Sequence, residues 1–160
     1  MQTLLITDFT HNAFQQAFKT YFQELGIQIK NWEGLFQEMN SEGDNLAYVL
    51  LDDNGRALGF IQLKPIQLAN WFFEEHLGFI REFWIAETAR GKGYGSQLLQ
   101  LAESYLQGQK IPKAILTTHT AEAFYLKKGY RRDCSFLAKN EDPVYIKDLF
   151  QENTQKGNTL

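Results

Sequence analysis

Six residues, Arg90-Gly91-Lys92-Gly93-Tyr94-Gly95, join two segments of opposite character, and that junction limits what the chain can become. Upstream, Phe79-Ile80-Arg81-Glu82-Phe83-Trp84-Ile85 is apolar and aromatic, the composition of a strand. Downstream, Leu98, Leu101, Ala102, Tyr105 and Leu106 recur at the i, i+3, i+4, i+7, i+8 spacing of an amphipathic helix. Gln97, Gln100, Glu103, Ser104 and Gln107 fill its other face. A glycine-rich turn between a strand and a helix N-terminus suits phosphate. Its backbone N–H groups have no intrahelical partners, the helix dipole favours an anion there, and glycine lets the backbone come close. Arg90 and Lys92 add two cations at the same place.

Spacing separates the phosphate-binding turns that compete for this segment. The dinucleotide fingerprint G-x-G-x-x-G fails because Ser96 stands three residues beyond Gly93. The P-loop fails because Gly93 follows Gly91-Lys92 where serine or threonine is needed. The pattern that fits is R-x-x-G-x-G, read at Arg90, Gly93 and Gly95. After a candidate strand at Ala114 to Thr118, a second pattern, A-x-x-F-Y-x-x-x-G-[FY], is met by Ala121, Phe124, Tyr125, Gly129 and Tyr130. In this order the two signatures resemble the GNAT superfamily of N-acetyltransferases, with the glycine turn as its acetyl-CoA pyrophosphate loop. The resemblance is specific from Ile80 to Tyr130 and loose over residues 1–60.

The resemblance implies an α+β fold with a mixed, mostly antiparallel central sheet of six or seven strands and about four flanking helices. The central strands splay, and acetyl-CoA lies in the opening. It implies acetyl-CoA contacts from Arg90, Gly91, Lys92, Gly93, Tyr94, Gly95 and Ser96 at the pyrophosphate. Phe83, Trp84 and Ile85 act through their backbones, and Thr118, Ala121 and Phe124 lie alongside. Two departures stand out: Arg81 occupies a position that is often acidic in the family, and Thr118 one that is often asparagine.

Composition is consistent with a single domain over residues 1–150 and a polar tail over 151–160. A net charge of -3 with no basic stripe argues against nucleic acid as partner. No apolar run reaches membrane-span length, and the N-terminus lacks a charged-then-apolar leader. Cys134 is the single cysteine, which excludes an internal disulfide and fits a reducing compartment, the cytoplasm by default.

Several elements can be placed along the chain. Thr3 to Ile6 reads as a strand, and Thr10 as the cap of a helix with an apolar stripe of Phe14, Ala17, Phe18, Tyr21, Phe22 and Leu25, ended by Gly26. A second helix covers Trp32 to Met39. Strands at Leu46 to Leu51 and Arg56 to Leu63 form a hairpin around Asp53-Asn54-Gly55, with Pro65 limiting the second strand. Residues 71–76 read as a loop. Final strands are expected near 130–138 and 143–148, with Cys134 at least half-buried in the first.

The chemistry that the resemblance implies needs two proton-handling groups. An alkyl amine near the lysine pKa is mostly charged at neutral pH, and reaching its neutral form costs about 4 to 5 kcal/mol. A carboxylate or water chain can take that proton, and a phenol can protonate the departing thiolate. Tyr125 matches the family's motif tyrosine and is the candidate acid; the alternative is an aromatic packing the sheet, for which Phe124 is better placed. Glu82 is the candidate base or water-positioning group; the alternative is a carboxylate paired with Arg81 or a cross-strand lysine. His119 at a strand end is a surface residue by default. His11, Glu74, His76 and His119 lack metal-ligand spacing, so no metal is expected.

The function so implied is acetyl transfer from acetyl-CoA to a primary amine by direct attack in a ternary complex. The acceptor is a small cationic amine or a peptide or protein amine. A non-catalytic acyl-CoA-binding module of the same fold, or a nucleotide-binding protein using the same loop, are the rival classes. Trp71-Phe72-Phe73 offers an acceptor-site wall, a homodimer contact or simple hairpin packing.

Overall fold

The computed structural model describes residues 1–69 and 71–150. The polar tail expected over 151–160 lies outside them. Among the described residues seven strands, β1 (Gln2–Ile6), β2 (Leu46–Leu51), β3 (Ala57–Ala69), β4 (Glu74–Ile85), β5 (Lys113–Thr117), β6 (Arg131–Arg132) and β7 (Val144–Asp148), form one sheet. Their order is β1-β2-β3-β4-β5-β7-β6. Every neighbouring pair is antiparallel except β4 with β5. Among the described residues four α-helices complete it: α1 (Asn12–Glu24), α2 (Trp32–Glu42), α3 (Tyr94–Gly108) and α4 (Glu122–Lys127). This is the mixed, mostly antiparallel α+β architecture that the two signatures implied.

The central strands are apolar on both faces because helices cover both. In β2 and β3, Ala47, Val49 and Phe60 join Phe14, Phe18 and Phe36 of α1 and α2 in one buried cluster. Leu46, Leu50, Ile61 and Leu63 alternate with them and join Leu98, Leu99, Ala102 and Leu106 of α3 in the other. Edge-to-face rings dominate the first cluster, with Phe14 against Phe9, Phe36 and Phe60 at 4.7, 6.0 and 5.6 Å between centroids.

Local chemistry moved several boundaries. His11, not Thr10, caps α1: its Nδ1 accepts the Ala13 N–H at 3.1 Å, while Asp8 has taken the Thr10 hydroxyl at 2.8 Å. Helix α2 continues past Met39 to Glu42, with the Ser41 hydroxyl bonded back to the Gln37 carbonyl. Strand β3 runs through Pro65 to Ala69. Its β2 partner ends at Leu46 opposite Leu63, so Pro65 faces an open edge where a missing N–H does no harm. Strand β4 begins at Glu74, which absorbs half the expected loop and makes a long hairpin. The expected strand over 130–138 shrinks to Arg131–Arg132, because the Asp133 carboxylate captures the Ser135 N–H in a local turn. Cys134 therefore lies exposed in that turn, contrary to its expected burial in a strand.

At the hairpin tip Trp71, Phe72 and Phe73 are 97%, 86% and 77% exposed, so they are not hairpin core. Nor can they wall a cleft near Glu82 of their own chain: Glu74 and Glu82 stand eight residues apart on one strand, about 26 Å.

Truncating Phe14, fully buried among four rings, is expected to cost about 3–5 kcal/mol. Leu137→Ser, at an exposed position, should stay within about 0.5 kcal/mol of the parent. Urea unfolding of both variants checks the pair; a Phe14→Ala midpoint equal to the parent's would refute this account of the core.

Candidate active site

Strands β4 and β5 pair only from Leu77–Lys113 to Phe79–Ile115. Beyond Phe79 they part, so β4 from Ile80 to Ile85 keeps β3 on one side and presents an open backbone edge on the other. A cavity of about 310 Å³ occupies the split, and its lining includes Tyr21, Glu82, Phe83, Thr118, Tyr125 and Asp142. The two residues assigned to proton handling from sequence thus share one cavity, though they are 43 residues apart (125 − 82).

A β-bulge decides which way Glu82 points. Gln62 pairs with Glu82 and Leu63 with Ile80, which leaves Arg81 as the extra residue. Ile80 belongs to the α3-side cluster, whereas Trp84, two beyond Glu82, belongs to the α1-side cluster. The extra residue therefore turns Glu82 toward α1. There the Tyr21 hydroxyl donates to Glu82 Oε2 at 3.0 Å. The alternative pairing with Arg81 does not form: Arg81 Nη1 donates to Glu42 Oε2 at 2.6 Å and Asn45 Oδ1 at 2.8 Å. Burial pushes the Glu82 carboxyl above its ordinary range, against smaller opposing effects from Tyr21 and Arg81. The Tyr21 phenol is pushed up in turn, chiefly by burial and then by the Glu82 charge. Sequence reading placed Tyr21 in an apolar stripe, and nothing local to it signals a polar partner.

Next to this pair lies a polar side chain that sequence reading passed over. Gln62 is 0% exposed, and neither its Nε2 nor its Oε1 hydrogen-bonds any described residue. Burying an unpaired amide costs about 1–3 kcal/mol, so its presence in a packed sheet needs a reason.

Tyr125 is buried, with its ring against Phe83, Phe124 and Tyr130 at 6.4, 5.1 and 5.5 Å between centroids. Phe124 is only half-buried, which reverses the expected roles of the two neighbours in the core. Burial alone raises the Tyr125 phenol; no charge or hydrogen bond contributes. Its hydroxyl is therefore protonated at neutral pH and uncommitted to any described residue.

Helix α3 starts at the glycine turn without a side-chain cap. Gly91 and Gly93 have φ of +77° and +84°, and no atom lies within 4 Å of where a Cβ would stand on either. Left-handed backbone there turns the chain into the helix and keeps its first N–H groups clear of side chains, a geometry that fits a diphosphate. Tyr94, Gly95 and Ser96 form the first turn, and a Cβ on Gly95 would stand 3.7 Å from Ile85 and from the Phe124 ring. Lys92 is exposed. Arg90 has other work: its Nε donates to the Ile85 carbonyl at 3.0 Å and its Nη2 to Glu24 at 3.2 Å. It braces the turn against β4 and α1, so its charge is already matched. Phe83 and Ile85 are half-buried, and Trp84 is buried with its indole N–H on Glu24 at 2.7 Å. Thr118 is buried; its hydroxyl accepts the Ala121 N–H at 3.1 Å and still has a proton to donate. His119 is exposed beside Asp142 at 3.4 Å. Among the described residues no cluster of three or more His, Cys, Asp or Glu could hold a metal.

The sequence matches the model of the acetyltransferase (GNAT) family over residues 7–130. The chain belongs to that family. As a GNAT acetyltransferase it is an enzyme with acetyl-CoA as co-substrate, and the split between β4 and β5 with the uncapped α3 fits that molecule. Tetrahymena GCN5 shares the fold over 94% of this chain and 97% of its own, at 10% identity and a TM-score of 0.69. Arabidopsis thaliana NAA60, solved with a bisubstrate analogue, matches over 92% and 99%, at 15% identity and 0.65. N-acetylglutamate synthase from Neisseria gonorrhoeae, complexed with coenzyme A and N-acetyl-glutamate, matches over 94% of this chain and 36% of its own, at 16% and 0.67. These likenesses concern the fold. No protein of curated function matches the acetyltransferase in sequence. None of its described helices is long and apolar enough to cross a membrane.

Two variants test this site. Gly93→Asp puts a side chain on left-handed backbone, at a cost of about 1–2 kcal/mol, where no atom lies within 4 Å of its Cβ, so the protein should fold. Its carboxylate would occupy the anion position, and coenzyme A affinity by calorimetry should fall at least about tenfold. Unchanged affinity in folded Gly93→Asp would remove the turn from the binding site. For Glu82→Gln the sign follows from its raised carboxyl. The favourable protonated state is fully present below the ordinary carboxylate range and is lost as pH rises through the folded-state value. Glu82→Gln should therefore melt higher than the parent at pH 7 and show no gain at pH 4. A gain equal at both values would show that Glu82 is not strained by its charge.

Proposed function

We propose that this acetyltransferase moves the acetyl group of acetyl-CoA to a primary amine by direct attack in a ternary complex, in the cytoplasm. The carrying observation is that Tyr125 and Glu82 line one cavity in the split between β4 and β5. The amine nitrogen forms a bond to the acetyl carbon as the carbon–sulfur bond breaks. Glu82, directly or through water, receives the proton that the amine gives up. Its raised carboxyl suits it to take protons nearer neutral pH than an exposed glutamate would. Tyr125 delivers a proton to the departing sulfur, which its uncommitted hydroxyl supports. The backbone of the Gly91–Gly95 turn and the start of α3 hold the pyrophosphate, and exposed Lys92, which pairs with no described carboxylate, adds the cation that Arg90 does not.

A cationic acceptor is favoured by the lining. Glu82 and Asp142 contribute carboxylates, whereas the Arg81 guanidinium is bound to Glu42. Small cationic amines lead, and peptide or protein amines come second.

Release of coenzyme A thiol, measured against polyamines, aminoglycosides, amino acids and short peptides, tests the proposal. Tyr125→Phe should lower kcat by about 10²-fold or more and leave the KM for acetyl-CoA near the parent value. Parent-like turnover in Tyr125→Phe would eliminate it as the acid. If acetyl-CoA stabilises the protein but no amine is acetylated, transfer to such amines is refuted.

A further inference from the structure

Gln62 and Glu82 are cross-strand partners on β3 and β4. Phe60 and Trp84, two residues along on each strand, are partners in the same way and both lie under α1. The period-two alternation puts Gln62 and Glu82 on that same face, and direct partners have Cβ atoms about 4.5–5.5 Å apart. The bond from Tyr21 on α1 to Glu82 fixes the face independently. Yet the fully buried amide and the neighbouring carboxylate make no direct hydrogen bond, and Gln62 bonds no other described residue. A carboxylate has room for about four acceptor contacts, and Tyr21 supplies one.

We propose that Gln62 is a positioning residue of the acetyltransferase: it holds a buried water against the Glu82 carboxylate, which takes the proton leaving the amine. One water can accept from the Gln62 Nε2–H and donate to Glu82, while Tyr21 donates to Glu82 Oε2 from the other side. Glu82 is then clasped from β3 and from α1, with its remaining capacity turned to the cavity. The sheet keeps an otherwise costly amide because the proton acceptor is held in line by it. The other titratable and charged groups around Glu82 are Arg81 beside it, Tyr125 from α4, and His119 and Asp142 across the cavity. The inference rests on the reading of Glu82 as proton acceptor.

Gln62→Met is the informative variant, because methionine is unbranched, of similar length and unable to hold the water. The Glu82 carboxyl carbon is followed by NMR in 13C-labelled protein across pH 4 to 9, and its signal assigned by its loss in Glu82→Gln. Removing a donor to the charged form raises a carboxyl, so the midpoint in folded Gln62→Met should move up by about one pH unit, a tenfold change. With spermidine as amine probe, the acidic limb of kcat/KM should move by the same amount, with the KM for acetyl-CoA unchanged. A midpoint that stays at the parent value in folded Gln62→Met overturns the role of Gln62. Parent-like turnover of spermidine in Glu82→Gln overturns instead the reading of Glu82, whatever the carboxyl titration shows.

Discussion

One extra residue in β4 organises this molecule. Without the bulge at Arg81, strict alternation would place Glu82 on the same face as Ile80, under α3 and among leucines. With it, Ile80 stays in the α3-side core while Glu82 and Trp84 turn to α1. The bulge falls where β4 leaves β5, so the strand that reverses its faces also gains a free edge. Open backbone edge and half-buried carboxylate thus meet at a single irregularity.

Helix α1 responds to that reversal at two points one turn apart. Tyr21 reaches Glu82, and Glu24 accepts the Trp84 indole N–H, the Glu87 backbone N–H and the Arg90 guanidinium. Residues three apart share a helix face, so one side of α1 carries both the partner of the candidate base and the brace of the glycine turn. The packing of Phe14 and Phe18 against Phe60 sets the height of that helix over the sheet. The aromatic core and the site are thereby coupled: the rings position α1, and α1 positions the carboxylate and the turn.

The charges divide by task. Arg81 and Arg90, the cations nearest the cleft in sequence, are both matched by glutamates from α2 and α1. Tyr125 stands apart from these pairs, raised by burial alone. A protonated phenol and a reluctant carboxylate in one cavity are what acid and base need to have opposite tasks at one pH.

Period and spacing alone determined much of this protein. The stripe of α1, the Asp53-Asn54-Gly55 hairpin, the strand–glycine turn–helix unit and the Tyr125 motif are local patterns, set by residues within a turn or two of each other. The ends of elements were less legible, because Asp8 and Asp133 compete for nearby hydroxyl and backbone groups and Pro65 depends on where β2 stops. Tertiary structure alone decided the site's polar partners. Tyr21 reads as apolar until Glu82 lies across from it, Arg81 reads as a neighbour for Glu82 until the bulge sends it to Glu42, and Gln62 is one polar residue among many until two layers of helices bury it. A hydrogen bond between residues 61 positions apart leaves no periodic trace, since only the register of β3 on β4 and the packing of α1 bring its ends together.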